Sequence, residues 1–217
     1  MSLNVVANEG YWDDFYKNLT LSVPSQFCAM VAVEVPKSST IVELGCGNGR
    51  DSLYFASQGL RVCAVDLSQQ AIKACSAAAK RSGLGHAQFS VGSLARSEDI
   101  SALFESARNV AGSGEVIGYS RFVMHSINDE QEKLFLNSIA EAMRNGEKIY
   151  FEFRSKEDET LSKTFGNHYR RFVDTRSFET YLISLGFESL YSITGQGMAK
   201  YKDEDPFVSR LIFQKNN

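Results

Sequence analysis

The stretch TIVELGCGNGRD, residues 40–51, decides the fold of this chain. Its first five residues are apolar or β-branched except for Glu43, and they predict a buried strand that runs directly into three alternating glycines. A short helix is predicted from Asp51 to Ser57 and ends before Gly59. A glycine-rich turn between a strand and a helix lets the backbone approach a ligand closely and directs free N–H groups at it.

The rest of the chain repeats this alternation of strand and helix, which is typical of α/β proteins. Apolar runs predict further strands at residues 60–65, 87–91, 115–119, 147–154, 187–194 and 208–214, and helical spacing predicts helices at 69–81, 100–110, 130–143 and 178–185. The last two strands are close enough in sequence to pair as an antiparallel hairpin with a long loop. The pattern therefore predicts a seven-stranded, mostly parallel sheet with helices on both faces.

The composition is that of an ordinary globular protein. The chain has 217 residues, 43% of them hydrophobic, and 23 Lys+Arg against 26 Asp+Glu give a net charge of −3. These values exclude intrinsic disorder and collagen-like structure. No run of 18 apolar residues predicts a membrane span, and no secretory signal is recognised at the N-terminus, so a cytoplasmic protein is expected.

One domain is expected over residues 1–217, with an N-terminal helical cap at 1–39 and a substrate-side insertion at 155–177. The four cysteines show neither C-x-x-C spacing nor a nearby histidine, which argues against a disulfide framework and a metal site. Reduced, buried thiols are expected at Cys28, Cys46, Cys63 and Cys75.

An acidic residue follows the second predicted strand. Asp66 lies where a carboxylate can accept the hydroxyls of a ribose, so the segment indicates a nucleoside-containing cofactor. A dinucleotide fingerprint would need a small residue where Arg50 stands, and the lysine of a P-loop is missing. These two departures disfavour a nicotinamide-dependent oxidoreductase and a nucleoside triphosphatase.

The segments VELGCGNGR (residues 42–50) and VCAVDLS (62–68) together resemble the class I S-adenosylmethionine-dependent methyltransferases, and the resemblance extends over residues 40–154. It implies a Rossmann-like methyltransferase sheet with S-adenosyl-L-methionine as cofactor. It also implies that the glycines wrap the methionine part, that Asp66 holds the ribose and that Ser93, where the family often has aspartate, flanks the adenine. The implied cofactor-binding residues are Trp12, Gly45, Cys46, Gly47, Gly49, Asp66, Leu67, Ser93, Leu94 and Ser120.

Methyl transfer is an in-line displacement, so the protein mainly has to align the reactants, and a base is needed only for a neutral acceptor. Basic residues are concentrated where the fourth and fifth strands end. We expect catalytic roles for His125, Arg154 and His168, and substrate binding by Arg121, Tyr169, Arg170, Arg171 and Lys200. The alternative is structural: buried histidines, and arginines paired with Glu152, Asp158 or Asp174.

Guanidinium groups match phosphate and carboxylate oxygens, so the arginines predict a small anionic acceptor. Segments at 152–154, 168–171 and 200–206 also resemble methyltransferases of bacterial surface-carbohydrate pathways, which implies methylation of a sugar hydroxyl or a sugar-linked phosphate. We therefore predict O-methylation of a small anionic or carbohydrate-like acceptor. The alternatives are a nucleic-acid methyltransferase, which the acidic composition disfavours, and a cofactor-binding protein without turnover. No membrane partner is expected.

Overall fold

A computed structural model describes residues 23–161 and 170–216. Seven strands form one sheet in these ranges. They are β1 (Thr40–Leu44), β2 (Arg61–Asp66), β3 (Ala87–Val91), β4 (Val116–Arg121), β5 (Lys148–Arg154), β6 (Phe187–Gly195) and β7 (Val208–Lys215).

Six α-helices connect or precede the strands in the described part of the chain, and single 3₁₀ turns follow β4 and β5. The helices are α1 (Gln26–Glu34), α2 (Arg50–Ser57), α3 (Gln69–Arg81), α4 (Ser97–Ala111), α5 (Asp129–Ala142) and α6 (Thr175–Ser184). The 3₁₀ turns are Met124–Ser126 and Lys156–Asp158.

The strand order is β3-β2-β1-β4-β5-β7-β6. The first five strands run parallel, and β7 pairs antiparallel with both β5 and β6. The predicted fold class and the closing hairpin are therefore confirmed. Because the order reverses between β1 and β4, the carboxyl ends of these two strands are the usual position of the ligand-binding crevice in such sheets.

Two apolar layers cover the sheet. One face packs against α4, α5 and α6 through side chains such as Phe104, Phe135 and Phe178. The other face packs against α1, α2 and α3 and includes Phe27 and Phe55. The prediction of helices on both faces is confirmed.

Two helices begin three residues earlier than their apolar spacing indicates. The first turn of α4 contains Glu98 and Asp99, and α6 begins after Asp174, whose carboxylate accepts the N–H of Ser177 at 2.9 Å. Such first turns are polar because carboxylates there stabilise the helix N-terminus. Hydrophobic periodicity therefore does not detect them.

All four cysteines are free and buried, as predicted. Within residues 23–161 and 170–216, no group of His, Cys, Asp and Glu side chains has the arrangement of a metal site. The same residues contain no helix that is long and apolar enough to cross a membrane.

Candidate active site

The glycine loop joins β1 to α2 beside the end of β2. The N–H groups of Gly45 and Cys46 both donate to the Val65 carbonyl, at 2.9 and 3.0 Å, and that of Gly49 donates to Cys46 at 2.9 Å. The N–H of Gly47 donates to Asp66 at 2.7 Å. These four groups are therefore used inside the protein, and the prediction that the loop directs free N–H groups at a ligand is wrong for them.

Two of the glycines are required by close packing. Gly45 has φ +83°, and a Cβ atom there would lie 2.4 Å from Cγ2 of Val123. Gly49 has φ +74°, and its Cβ would lie 2.7 Å from Sγ of Cys75 on α3. Any other residue would be strained at these φ values and would also displace a neighbour. The loop is thus held tightly against α3 and against the segment that follows β4.

Asp66 accepts hydrogen bonds from the glycine loop and from the segment that follows β2. Its Oδ2 atom accepts the Gly47 N–H at 2.7 Å, and its Oδ1 atom accepts the N–H of Ser68 at 2.9 Å. A carboxylate oxygen can accept more than one hydrogen bond, so holding the loop is compatible with binding a hydroxyl. The ribose role remains a prediction, and the structure adds a loop-positioning role that spacing does not reveal.

Apolar side chains are exposed beside Asp66. Leu67 follows β2 and is 41% exposed, and Val91 ends β3 and is 52% exposed. Both side chains suit contact with the flat face of a purine. Val91 was not among the predicted cofactor residues, because no sequence motif marks this position on the edge strand β3. Ser93 is engaged locally: its N–H donates to Asp99 at 2.8 Å and its hydroxyl accepts from Ala95 at 3.2 Å.

Three further predicted cofactor residues contact the glycine loop or the end of β1. Leu94 lies 3.6 Å from the Cβ position of Gly45. The hydroxyl of Ser120 donates to the Leu44 carbonyl at 3.3 Å and ties β4 to the end of β1. Cys46 is buried, and its thiol shares the Gly47 carbonyl with Cys75. These contacts give Ser120 and Cys46 structural roles in shaping the loop.

A buried carboxylate that the sequence analysis missed lies under this loop. Asp51, in the first turn of α2, accepts the N–H and hydroxyl of Ser25 at 2.8 and 2.7 Å and the Tyr119 hydroxyl at 2.8 Å. Arg50 donates to it at 3.2 Å. Burial alone would raise the pKa of Asp51, but the positive charges of Arg121 and Arg50 and the Ser25 hydrogen bonds lower it below its ordinary value.

Glu43 is the buried neighbour of this carboxylate and receives the hydroxyl of Ser52. Burial, with the negative charge of Asp51, raises the pKa of Glu43 well above its ordinary value. The two neighbouring carboxyl groups therefore differ, since Asp51 ionises readily and Glu43 resists ionisation.

A buried Arg–Glu–Arg cluster lies at the ends of β4, β5 and β7. Glu152 accepts Nε of Arg121 on one oxygen and Nε of Arg210 on the other, both at 2.7 Å. Arg210 continues to the Met198 carbonyl at 2.5 Å. Burial would lower the pKa of Arg121, but Glu152 and Asp51 raise it, so the guanidinium stays charged. Glu152 was a predicted partner of these arginines, and the pairing with Arg121 is confirmed.

Phe122, directly after β4, is the other feature that spacing did not indicate. It has φ +57°, in the left-handed region that a bulky side chain rarely adopts. Its ring centroid lies 4.1 Å from Cζ of Arg121, 5.7 Å from Cζ of Arg154 and 5.3 Å from the His125 ring. Such strain costs on the order of 1–3 kcal/mol and tends to persist at functional sites.

The predicted catalytic residue Arg154 is held by two carboxylates. It donates to Asp158 at 2.7 Å and also to Glu204, and all three side chains are buried. This arrangement matches the structural alternative, which included Asp158 among the possible partners of the arginines. His125, the other described candidate, is buried in the 3₁₀ turn beside Phe122, and its carbonyl accepts the Arg171 N–H at 2.9 Å.

The predicted substrate-binding residues that the structure describes have different surroundings. Arg171 donates to the Met124 carbonyl at 3.1 Å and to Asp129 and Glu132 of α5, so it fastens the 3₁₀ turn to that helix. Lys200 is exposed in the loop between β6 and β7, and Arg170 is half-buried. The predicted residues Trp12, His168 and Tyr169 lie outside the described residues.

These features fit S-adenosylmethionine. The crevice has a glycine loop in which Gly45 and Gly49 leave no room for a side chain. It also has a carboxylate at the end of β2 and exposed apolar side chains beside that carboxylate. Asp66 with Leu67 and Val91 would hold the nucleoside, and the loop from Gly45 to Gly49 would border the amino-acid part.

Replacing Asp66 with Ala should weaken binding of S-adenosylhomocysteine by about 1–3 kcal/mol, because ribose hydroxyls and the Gly47 N–H both lose their acceptor. Isothermal titration calorimetry measures this loss. Asp203→Ala changes an exposed aspartate of the β6–β7 loop and should leave the affinity unchanged. An unchanged affinity in Asp66→Ala would contradict the cofactor role of this carboxylate.

Comparison with known proteins gives one family and many similar folds. Residues 41–146 match the family described as methyltransferase domain. No curated protein matches the sequence significantly. The chain is similar in structure to a SAM-dependent methyltransferase from Anabaena variabilis, with a TM-score of 0.73 and 19% identity over 99% of this chain and 96% of that one.

Two further solved structures show the same fold. A SAM-dependent methyltransferase from Methanosarcina mazei has a TM-score of 0.66 and 17% identity over 86% of this chain and 97% of that one. The glycopeptide N-methyltransferase MtfA, solved with S-adenosyl-L-methionine, has a TM-score of 0.66 and 13% identity over 92% and 90%. At these identities the likeness shows the fold, so the acceptor must be argued from this chain's own residues.

Proposed function

We propose that this chain, a class I S-adenosylmethionine-dependent methyltransferase by its domain and its fold, methylates an oxygen of a small anionic or carbohydrate-like acceptor. When bound, S-adenosylmethionine supplies an electrophilic methyl group on a sulfonium. The work left to the protein is to hold the acceptor in line with that group and to exclude water. We assign this work to Arg121 at the end of β4 and to His125 in the 3₁₀ turn that follows.

Arg121 carries the proposal for an anionic acceptor. Within the described residues its Nε atom donates to Glu152, while neither Nη group makes a hydrogen bond. The side chain is 15% exposed, and we propose that these two groups meet the acceptor. Glu152 is shared between Arg121 and Arg210, so its single negative charge neutralises only one of these two guanidiniums. A guanidinium with two available N–H groups suits a phosphate or carboxylate.

The other arginines contribute less to this proposal. Arg154 and Arg171 each face two carboxylates, so an anion there would meet excess negative charge. We therefore propose that Arg121 binds the acceptor and that Arg154 stabilises the surrounding loops. The resemblance to surface-carbohydrate methyltransferases, carried in part by residues 152–154 and 200–206, favours a phosphorylated or carboxylated sugar.

His125 is proposed as the base for a neutral hydroxyl. Its ring lies at the end of β4, next to Phe122, and imidazole accepts a proton near neutral pH. An acceptor oxygen that is already ionised would not need this step. A His125→Gln variant that keeps full activity at every pH would assign the ring a structural role.

Replacing Arg121 with Lys should reduce kcat/KM for the acceptor about 10- to 100-fold, because lysine keeps the charge but lacks the planar pair of donors. S-adenosylhomocysteine affinity should change less than twofold. The assay follows transfer of a labelled methyl group from S-adenosylmethionine to sugar phosphates, uronic acids, neutral sugars and RNA. The matched control is Arg144→Lys, because Arg144 is exposed and lies beside the opposite ends of β4 and β5.

Three results would contradict the proposal. Equal use of neutral and anionic sugars by the wild type would remove the anionic character. Methylation of RNA alone would favour the nucleic-acid alternative. Cofactor binding without transfer to any acceptor in the panel would favour a binding protein without turnover.

A further inference from the structure

We propose, building on the acceptor role of Arg121 proposed above, that Phe122 is a positioning residue whose ring fixes the Arg121 guanidinium for the acceptor. The inference combines one strained backbone angle with the groups around one aromatic ring.

The first observation is the backbone of Phe122. Its φ of +57° is one of two positive values among the non-glycine residues described, and the other, at Lys202, lies in a tight turn. Glycine or asparagine would adopt this angle at lower cost. The strained angle therefore implies that the side chain is useful here, since the turn itself would form more easily without a benzyl group.

The second observation is the environment of the ring. The Arg121 guanidinium lies over it at 4.1 Å, the closest cation–π distance among the described residues, while Glu152 takes Nε of the same guanidinium. One contact holds the guanidinium carbon over the ring, and the other holds its Nε edge. Together they restrict the group while leaving both Nη atoms to a ligand.

The third observation is that the ring is itself restrained. The Phe122 N–H donates to the Glu152 carbonyl at 2.8 Å, which keeps its backbone in register with β5. The His125 ring meets it edge-on at 77°, and the guanidinium of Arg154, fixed by two carboxylates, lies 5.7 Å from its centroid. Because the Phe122 ring is restrained from several sides, it can restrict the motion of the Arg121 guanidinium.

Nuclear magnetic resonance of the ¹⁵N-labelled full chain with S-adenosylhomocysteine tests this directly. The Nε–Hε signal of Arg121 is assigned by its loss in Arg121→Lys, and its order parameter is measured. Phe122→Asn removes the ring and suits a positive φ, so it should fold, whereas Phe122→Tyr keeps the ring. We expect the Arg121 order parameter to fall clearly in Phe122→Asn and to stay near wild type in Phe122→Tyr.

Inorganic phosphate is the probe for the anion site, titrated against the same signal. Its Kd should rise about tenfold in Phe122→Asn and less than twofold in Phe122→Tyr. With a turned-over acceptor, the loss should fall mainly on KM rather than kcat. Melting temperatures of both variants separate positioning from general destabilisation.

An unchanged Arg121 order parameter in Phe122→Asn overturns the inference, whatever the activity shows. If phosphate fails to shift the Arg121 signal in the wild type, the anionic acceptor fails, but the comparison of order parameters still decides the role of Phe122. If acceptor KM rises while Arg121 stays ordered, the ring contacts the acceptor itself and the positioning role is wrong.

Discussion

Asp51→Ala is expected to destabilise the protein by about 3–5 kcal/mol, the range found when one partner of a buried charged pair is removed. The carboxylate is 4% exposed and accepts the N–H and hydroxyl of Ser25, the Tyr119 hydroxyl and the Arg50 Nε. Without it, these donors stay buried with fewer acceptors, and each unsatisfied donor costs about 1–3 kcal/mol. Urea unfolding at pH 7 measures the loss.

The effect should depend on pH in a defined direction. The pKa of Asp51 is lower in the folded protein than its ordinary value of about 3.9, because Arg121, Arg50 and the Ser25 hydrogen bonds outweigh the opposing effect of burial. The stability from this group is therefore fully present above pH 4 and is lost as the pH falls through the folded value. The difference between wild type and Asp51→Ala should shrink below pH 4.

Asp203→Ala is the control, since Asp203 is exposed in the β6–β7 loop. Its unfolding curve should stay within about 0.5 kcal/mol of wild type. If Asp51→Ala lost less than 1 kcal/mol, or if its deficit persisted unchanged at pH 3, the buried network would not have the strength that its geometry indicates.

Glu152→Ala should produce the second large effect, also about 3–5 kcal/mol, because it leaves Arg121 and Arg210 without their shared carboxylate. Both guanidiniums are at least four-fifths buried, and their positive charges would then face each other in a region of low dielectric. Thermal unfolding should show a fall of roughly 2–4 °C for each kcal/mol lost.

Two further variants sharpen this result. Glu157→Ala removes an exposed glutamate just after β5 and should have little effect. A triple replacement of Arg121, Glu152 and Arg210 by methionine should recover much of the stability, because well-packed apolar side chains can replace a buried ion cluster. Equal instability of Glu152→Ala and the triple variant would mean that packing volume, and not unpaired charge, explains the loss.

The succession of strands and helices along the chain was predictable because each strand and its following helix are local in sequence. Residues 40–44, 69–81 and 87–91 were predicted with the bounds that the structure shows. Apolar runs, glycines and an N-cap at Ser68 act over a few residues, so a single sequence contains them.

The connections within the site were less predictable because they join distant residues. Asp51 gathers Ser25 and Tyr119, which lie 26 and 68 positions away. Arg154 was predicted to be catalytic from its place at the end of a strand, but Glu204, 50 positions later, neutralises it. The positive φ of Phe122 leaves no trace in its residue type. Only the fold brings these groups together.

The position of β7 has a consequence for how the chain assembles. This strand follows β6 in sequence but lies between β5 and β6 in the sheet. Until residues 208–215 emerge from the ribosome, β5 keeps an open hydrogen-bonding edge and β6 has no neighbour. Until then, the open edge of β5 must be kept from pairing with strands of other chains. The same strand delivers Arg210 to Glu152, so the charged centre of the site forms only after residues 208–215 have been synthesised.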